Sequence, residues 1–312
     1  MVAQDESLAH RLEELERPKA HLLRPTGQTL PIRVYGSKAF HRVLPTQVAL
    51  GLAALRGRLE WWAVPRRRAH ALELTEAIRA LPRDSAEAVR FAKQRLVEDA
   101  VQAELHWRPW LGRRTPIQGL ENLETARAGG GGAILATAHV GPFLGLVHAL
   151  AARGIKVYIS GGQWGGEPTF DGRRGRWTLM QNVWVEEAGS RWVHRGGSYP
   201  LLRALLVRGA ICFMTVDAAG NVEVDLAGHP ARVRGGVASL ALETGAPIVP
   251  CATLRRGLGQ VGVVLEPIDP SRFGDATELT RHLAEVLGGI LLREPEQVHV
   301  NVFHLWERSS AR

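Results

Sequence analysis

His139 closes an apolar run, Ala133-Ile134-Leu135-Ala136-Thr137-Ala138, and is followed by Val140-Gly141-Pro142-Phe143-Leu144. A short buried strand that ends in a histidine, then a glycine, then a helix-like segment over 143–152 puts an imidazole at a strand's carboxyl end. Open α/β sheets form their ligand crevices there. Gly141 lets another backbone or a substrate come close, because it has no Cβ. An imidazole in that place is a natural general base, since its ordinary pKa lies near working pH. A structural histidine at a sheet edge fits the same local pattern.

A second apolar run, 211–216, ends at Asp217. There a carboxylate could share one crevice with His139, or it could cap the turn ahead of Ala218-Ala219-Gly220. His148, His194 and His229 have no partner spacing that suggests a metal and read as structural or surface residues. Zinc-type cysteine spacing is absent: Cys212 and Cys251 both fall in strand-like apolar runs and read as core. No metal and no cofactor is expected.

The elements that must position these residues alternate. Strands are predicted at 133–138, 157–160, 211–216, 248–254 and 261–265, with helices at 201–207, 238–243 and from the Asp275-Ala276-Thr277-Glu278 cap to about 292. That alternation argues an α/β fold with a largely parallel central sheet flanked by helices. Ahead of it lies a helical extension. Apolar residues recur at helical spacing over 44–62, ending in Trp61-Trp62 and the cluster Arg66-Arg67-Arg68. A helix docked on the domain fits that pattern, and so does contact with an anionic membrane interface. Asp84-Ser85-Ala86-Glu87 opens a further helix reaching about 107. The four glycines at 129–132 are no phosphate loop, because no Lys-Ser or Lys-Thr follows. Residues 1–43 read as a polar, loosely packed lead-in and 44–312 as one domain, with N-terminal helices over 44–128 and a core over 129–308.

The 312 residues suffice for a substantial core. The net charge of +8 and a pI near 10.3 favour acidic partners. Almost all of that positive charge is arginine, the lysines being Lys19, Lys38, Lys93 and Lys156 alone. No apolar stretch is long enough to span a membrane, and residues 1–17, charged throughout, do not read as a secretory signal. The expected setting is cytoplasmic, with peripheral contact on the inner face of the membrane.

Taken in order, these blocks resemble the lysophospholipid acyltransferase superfamily, and within it the lipid A biosynthesis (lauroyl/myristoyl) acyltransferases. Residues 133–143 look like the strand and His-x-Gly segment, and 200–217 like the family's helix–Gly–strand–Asp block. Leu226-Ala227-Gly228-His229-Pro230 and Gly235-Gly236-Val237-Ala238-Ser239-Leu240-Ala241 are similar to its Phe-Gly-x-Pro and Gly-x-Ala-x-Leu-Ala stretch. The Thr244-Gly245-Ala246-Pro247 block and the tail with Glu294-Pro295-Glu296-Gln297 and His304-Leu305-Trp306 follow suit. The resemblance covers roughly 44–308.

It implies a glycerolipid acyltransferase-like fold and transfer of an acyl group from a thioester, on acyl carrier protein or CoA, to a hydroxyl or amine of a small molecule or lipid. His139 would be the base and Asp217 a site residue. Gly141, Phe143, Arg173, Arg176, Arg195, Arg234 and Gly235 would bind substrate. With Arg174, Arg203 and Arg232, and beside Trp164 and Trp177, these arginines suit an acidic donor through bidentate contacts to phosphate.

One departure stands out. The family motif has Asp or Glu five positions after the histidine; here that position is Leu144. Leucine cannot accept a hydrogen bond from the imidazole, and loss of an orienting carboxylate can cost several orders of magnitude in rate. Asp217, or else Glu167 or Asp171, replaces it; or the acceptor is an easier nucleophile, such as an amine; or the chain is a catalytically silent binder of acyl chains or a carrier. A tRNA-carried donor also suits the charge, although the sequence holds no recognised RNA-binding motif.

Overall fold

The computed structural model describes residues 2–17, 34, 37–161, 183–194, 197–299, 302, 305 and 306. Its centre is a seven-stranded sheet in the order β1-β9-β8-β2-β5-β3-β4. The strands are β1 (Ile117–Gln118), β2 (Ala133–Thr137), β3 (Val157–Ser160), β4 (Arg191–Val193), β5 (Ile211–Thr215), β8 (Ile248–Arg256) and β9 (Gly259–Val264). Strands β8, β2, β5, β3 and β4 run parallel. β9 turns back antiparallel to β8, and β1 follows β9 in parallel. The fold is α/β with a largely parallel sheet.

β2 is apolar at nearly every position because both of its faces are covered, and all five residues are buried. Helix α7 (Gly145–Ala151) closes one face, packing Leu146, Val147 and Leu150 into a cluster with Leu135 and Phe213. Helices α8 (Ser198–Val207), α9 (Gly236–Thr244) and α10 (Ala276–Arg293) share the other cluster, with Ile134, Cys212 and Leu240. Ser85 and Asp275 cap their helices through side-chain bonds to Ala88 N–H and to Thr277 and Glu278 N–H.

The chain leaves β2 toward β3 on one side and leaves β5 toward β8 on the other, so the switch point lies between β2 and β5. Before β8 the chain makes an antiparallel hairpin of β6 (Ala219–Leu226) and β7 (His229–Val233). Ala227 and Gly228, with φ of 61° and 81°, make its two-residue turn.

The N-terminal helices are α1 (Val2–Glu16), α2 (Lys38–Val43), α3 (Thr46–Ala63), α4 (Pro65–Arg79), α5 (Ala86–Leu105) and, beside β1, α6 (Leu120–Arg127). The start of the chain is not loosely packed over residues 2–17. Leu12 and Leu15 are buried in the core, and Glu16 accepts from Tyr158 Oη at 2.5 Å. Helix α3 buries Leu50, Ala53 and Trp61, which pack against residues of α5.

Candidate active site

Parallel register aligns Thr137 with Thr215, the last residues of β2 and β5, and Val216 N–H bonds Thr137 C=O at 2.9 Å. Two residues beyond each stand His139 and Asp217. His139 Nδ1 lies 2.8 Å from both Asp217 carboxylate oxygens, and the His139 backbone N–H donates to Oδ2 at 2.9 Å. The Asp217 side chain is fully buried. Burial alone would raise its carboxyl pKa, but the imidazole's charge and hydrogen bond and the backbone N–H bonds outweigh it and hold the group below the ordinary carboxylate range. A carboxylate on Nδ1 fixes the proton there and makes Nε2 the basic atom.

Leu144 is 2 % exposed and packs with Leu135, Val147 and Phe213 under the sheet. Position 144 therefore belongs to the core, and the carboxylate beside His139 comes from a different strand. Glu167 and Asp171 lie outside the described residues, as do Arg173, Arg174, Arg176, Arg195, Trp164 and Trp177.

The backbone around His139 is clamped. Its C=O accepts from His299 N–H at 2.9 Å, and Gly141 N–H donates to Gln297 C=O at 2.9 Å. Gly141 has a φ of 57°, and a Cβ there would meet Thr253 C=O at 2.1 Å, so only glycine fits. Phe143 lies against the imidazole, with ring centroids 5.0 Å apart, and His299 is 6.0 Å away. His106, on the far side of Phe143, is pushed down to about 4 by burial and is neutral at physiological pH.

Two cavities lie near the pair. One, of about 260 Å³, is bounded by Thr215 and Ala218, which bracket Asp217 in sequence, and by Tyr199 and Arg234. The Arg234 guanidinium donates to Ala219 C=O at 3.0 Å, and Gly235 N-caps α9. The other, of about 510 Å³, is enclosed by α3, α4 and α5 and ends on Phe143 and His299. A roomier cavity beneath the hairpin, about 780 Å³ and bounded by Asp225, Phe273 and Arg281, includes none of these groups.

Arg203 and Arg232 do not join this site. Both are exposed and ion-paired, Arg203 with Glu243 and Arg232 with Glu223. His148 is buried in α7 and His229 stacks on Trp306, as structural residues do. The polar wall of His106, His299, Arg95, Asp99 and Gln102 was not singled out from sequence; the tail block around Glu294 came nearest to it.

Residues 181–304 match the family model described as bacterial lipid A biosynthesis acyltransferase. That span, about two-fifths of the chain, holds Asp217, Arg234 and Gly235 but not His139. No curated protein matches the sequence. The solved structure of the 1-acyl-sn-glycerophosphate (LPA) acyltransferase PlsC from Thermotoga maritima is similar over 81 % of this chain and 98 % of that one. Its identity is 13 % and its TM-score 0.39, too loose a likeness to bear on the site. Over residues 181–304 the chain is thus similar to the bacterial lipid A biosynthesis acyltransferases.

Proposed function

We propose that the protein moves an acyl group from a carrier thioester, on acyl carrier protein or CoA, to a hydroxyl or amine. His139 is the general base and Asp217 its orienting carboxylate. The observation that carries this reading is the contact of His139 Nδ1 with both Asp217 oxygens at 2.8 Å. In the proposed step the acceptor oxygen or nitrogen attacks the thioester carbon and gives its proton to His139 Nε2. The new acyl bond forms, the C–S bond breaks, and the imidazolium returns the proton to the leaving thiolate. Asp217 stabilises that imidazolium without itself taking the proton.

For the donor we propose the Arg234 side. Arg234 and Gly235 stand at the 260 Å³ cavity next to Asp217, and an arginine there suits the phosphate of a phosphopantetheine arm. Arg173, Arg176 and Arg195 are proposed as further donor contacts on the sequence argument alone.

We read the protein as cytoplasmic and peripheral on an anionic membrane face. Among the described residues no helix is long and apolar enough to cross a membrane. Support for surface contact comes from α3, where Val48, Leu52, Leu55, Leu59 and Trp62 are all exposed at spacings of three or four. They form one apolar stripe, with exposed Arg42, Arg58 and Arg66 nearby in sequence. Such a stripe with basic flanks suits the headgroup boundary of an anionic bilayer. A silent binder would not need the buried carboxylate on His139, so the catalytic reading is preferred. Among the described residues no structural feature favours a tRNA-carried donor.

The test is release of free thiol from acyl-CoA and from acyl carrier protein, with mass spectrometry of the acylated product. Turnover by the native chain and its loss in His139→Ala support the reading; no turnover with either donor over a range of acyl lengths overturns it.

A further inference from the structure

His139 has a cross-strand neighbour. Val140 and Val298 form an antiparallel bridge, bounded by bonds from His299 N–H to His139 C=O and from Gly141 N–H to Gln297 C=O, both 2.9 Å. That register sets His299 directly opposite His139. Side chains alternate along paired strands, and Val140 and Val298, each 1 % exposed, turn to the core. His139 and His299 therefore project from the other face, where directly opposed Cβ atoms lie about 4.5–5.5 Å apart. Their ring centroids are 6.0 Å apart.

The strand that carries His299 is anchored on both sides. Gln297 is buried, and its side chain accepts from Arg255 N–H at 2.7 Å and donates to Glu294 Oε2 at 2.8 Å. Arg95 donates to Val298 C=O at 2.5 Å, and His299 C=O accepts from Val302 N–H at 3.1 Å. The His299 side chain itself is exposed, and it lines the 510 Å³ cavity beside Phe143. Protein still surrounds that cavity on most sides. Such burial, with the charge of His139, pushes the His299 imidazole down to about 4. At physiological pH the ring is therefore neutral and keeps one unprotonated nitrogen.

We propose that the acceptor is a primary amine that enters through this cavity, and that His139 and His299 each accept one of its two N–H bonds. This rests on the acyl-transfer reading above. One N–H donates to His139 Nε2 and the other to the unprotonated nitrogen of His299, which leaves the amine lone pair for the thioester carbon. An amine nitrogen at hydrogen-bond distance from both rings lies about 4 Å from each centroid, and centroids 6.0 Å apart then subtend about 100°, close to an amine's H–N–H angle. In the step the N–C bond forms, one amine proton passes to His139 Nε2, and the C–S bond breaks. The imidazolium returns that proton to the thiolate, so the products are an amide and a free thiol. His299 keeps its hydrogen bond and takes no proton. An alcohol has a single O–H, which His139 takes. His299 can then only donate to the oxygen, which draws electron density from the nucleophile. The paired imidazoles thus select nitrogen over oxygen.

The test is acyl transfer by the whole protein, from acyl-CoA and acyl carrier protein, to matched acceptors. Benzylamine is compared with benzyl alcohol and octylamine with octanol, in a mildly alkaline buffer that leaves part of the amine uncharged. Products are identified by mass spectrometry, and uncatalysed aminolysis is subtracted. Free amines attack thioesters faster than alcohols without any enzyme, so the deciding readout is how kcat/KM changes with residue 299. His299→Phe keeps a ring beside Phe143 and should lower kcat/KM for the amine about 10-fold, the scale of one hydrogen bond, and for the alcohol no more than about 2-fold. His299→Gln, whose side-chain carbonyl accepts the same N–H, should regain most of the amine rate. The bond from residue 299 to His139 C=O is made by the main chain and is kept in both variants. Equal losses on amine and alcohol, no loss on either, a Gln variant no better than Phe, or a native chain that makes esters and no amides overturns the amine proposal and leaves acyl transfer standing. No thiol release with any acceptor removes both.

Discussion

Thr137 and Thr215 are register partners at the ends of two parallel strands, and the chain places His139 and Asp217 two residues beyond each. Neighbouring parallel strands thus carry base and carboxylate to the same height at the switch point of the sheet. The contact depends on strand order more than on local sequence, since 78 residues separate the pair.

Because the carboxylate role is filled from β5, restoring the motif residue should not help. Leu144→Glu puts an acid among Leu135, Val147 and Phe213. We expect it to lower stability by about 3 kcal/mol, the scale for an unpaired buried charge, and to give no gain in turnover. Denaturant unfolding alongside thioester assays checks this; a more active and equally stable variant would contradict it.

Acid should weaken the protein in two stages. His106 and His148 are pushed down to about 4 by burial, below the ordinary value near 6.5. Their contribution is full above about pH 6.5 and is lost as pH falls toward 4, with uptake of roughly one proton each on unfolding. Asp217 is held below the usual carboxylate range, so its contribution is present above about pH 4 and is lost only below that. Stability curves from pH 7 to 3 should show the first slope shrink in His148→Gln and the second in Asp217→Asn. A flat profile from 6.5 to 4.5 would contradict the neutral buried histidines.

Arg234→Ala should raise KM for a carrier-bound donor several-fold while changing kcat less, and the effect should shrink as salt rises. Unchanged KM at low ionic strength would return Arg234 to the exposed surface.

The α3 stripe should govern membrane contact. Leu55→Asp with Trp62→Asp should abolish sedimentation with vesicles containing phosphatidylglycerol and leave thioester turnover on soluble substrates intact. Equal binding to neutral phosphatidylcholine vesicles would contradict the part given to arginine.

Much of the α/β core was legible in the sequence because β2 and β5 are short, fully apolar and bounded by turns, and because Ser85 and Asp275 announce their helices. The β6–β7 hairpin was not, since its half-exposed strands include Gly220, Pro230 and charged residues and resemble loop. Helix α1 was missed because, among its described residues, Leu12 and Leu15 are buried and Leu8 half-buried in an otherwise charged segment. The cavity wall was hidden for a related reason. Arg95, Asp99 and Gln102 look like the solvated face of α5, and it takes the C-terminal turn at Pro295–Gln297 over Arg95, with α3 and α4 around Asp99 and Gln102, to turn them inward.

The central claim is that His139 and Asp217 act as one unit, and a double-mutant cycle on thioester turnover tests it most directly. His139→Ala should cost at least ~100-fold, the usual scale for a general base, and Asp217→Asn much of that loss. Combined, they should be no slower than His139→Ala alone, because a carboxylate without its imidazole has nothing to orient. Multiplying losses, or a His139→Ala variant that keeps near-native turnover, would contradict the account.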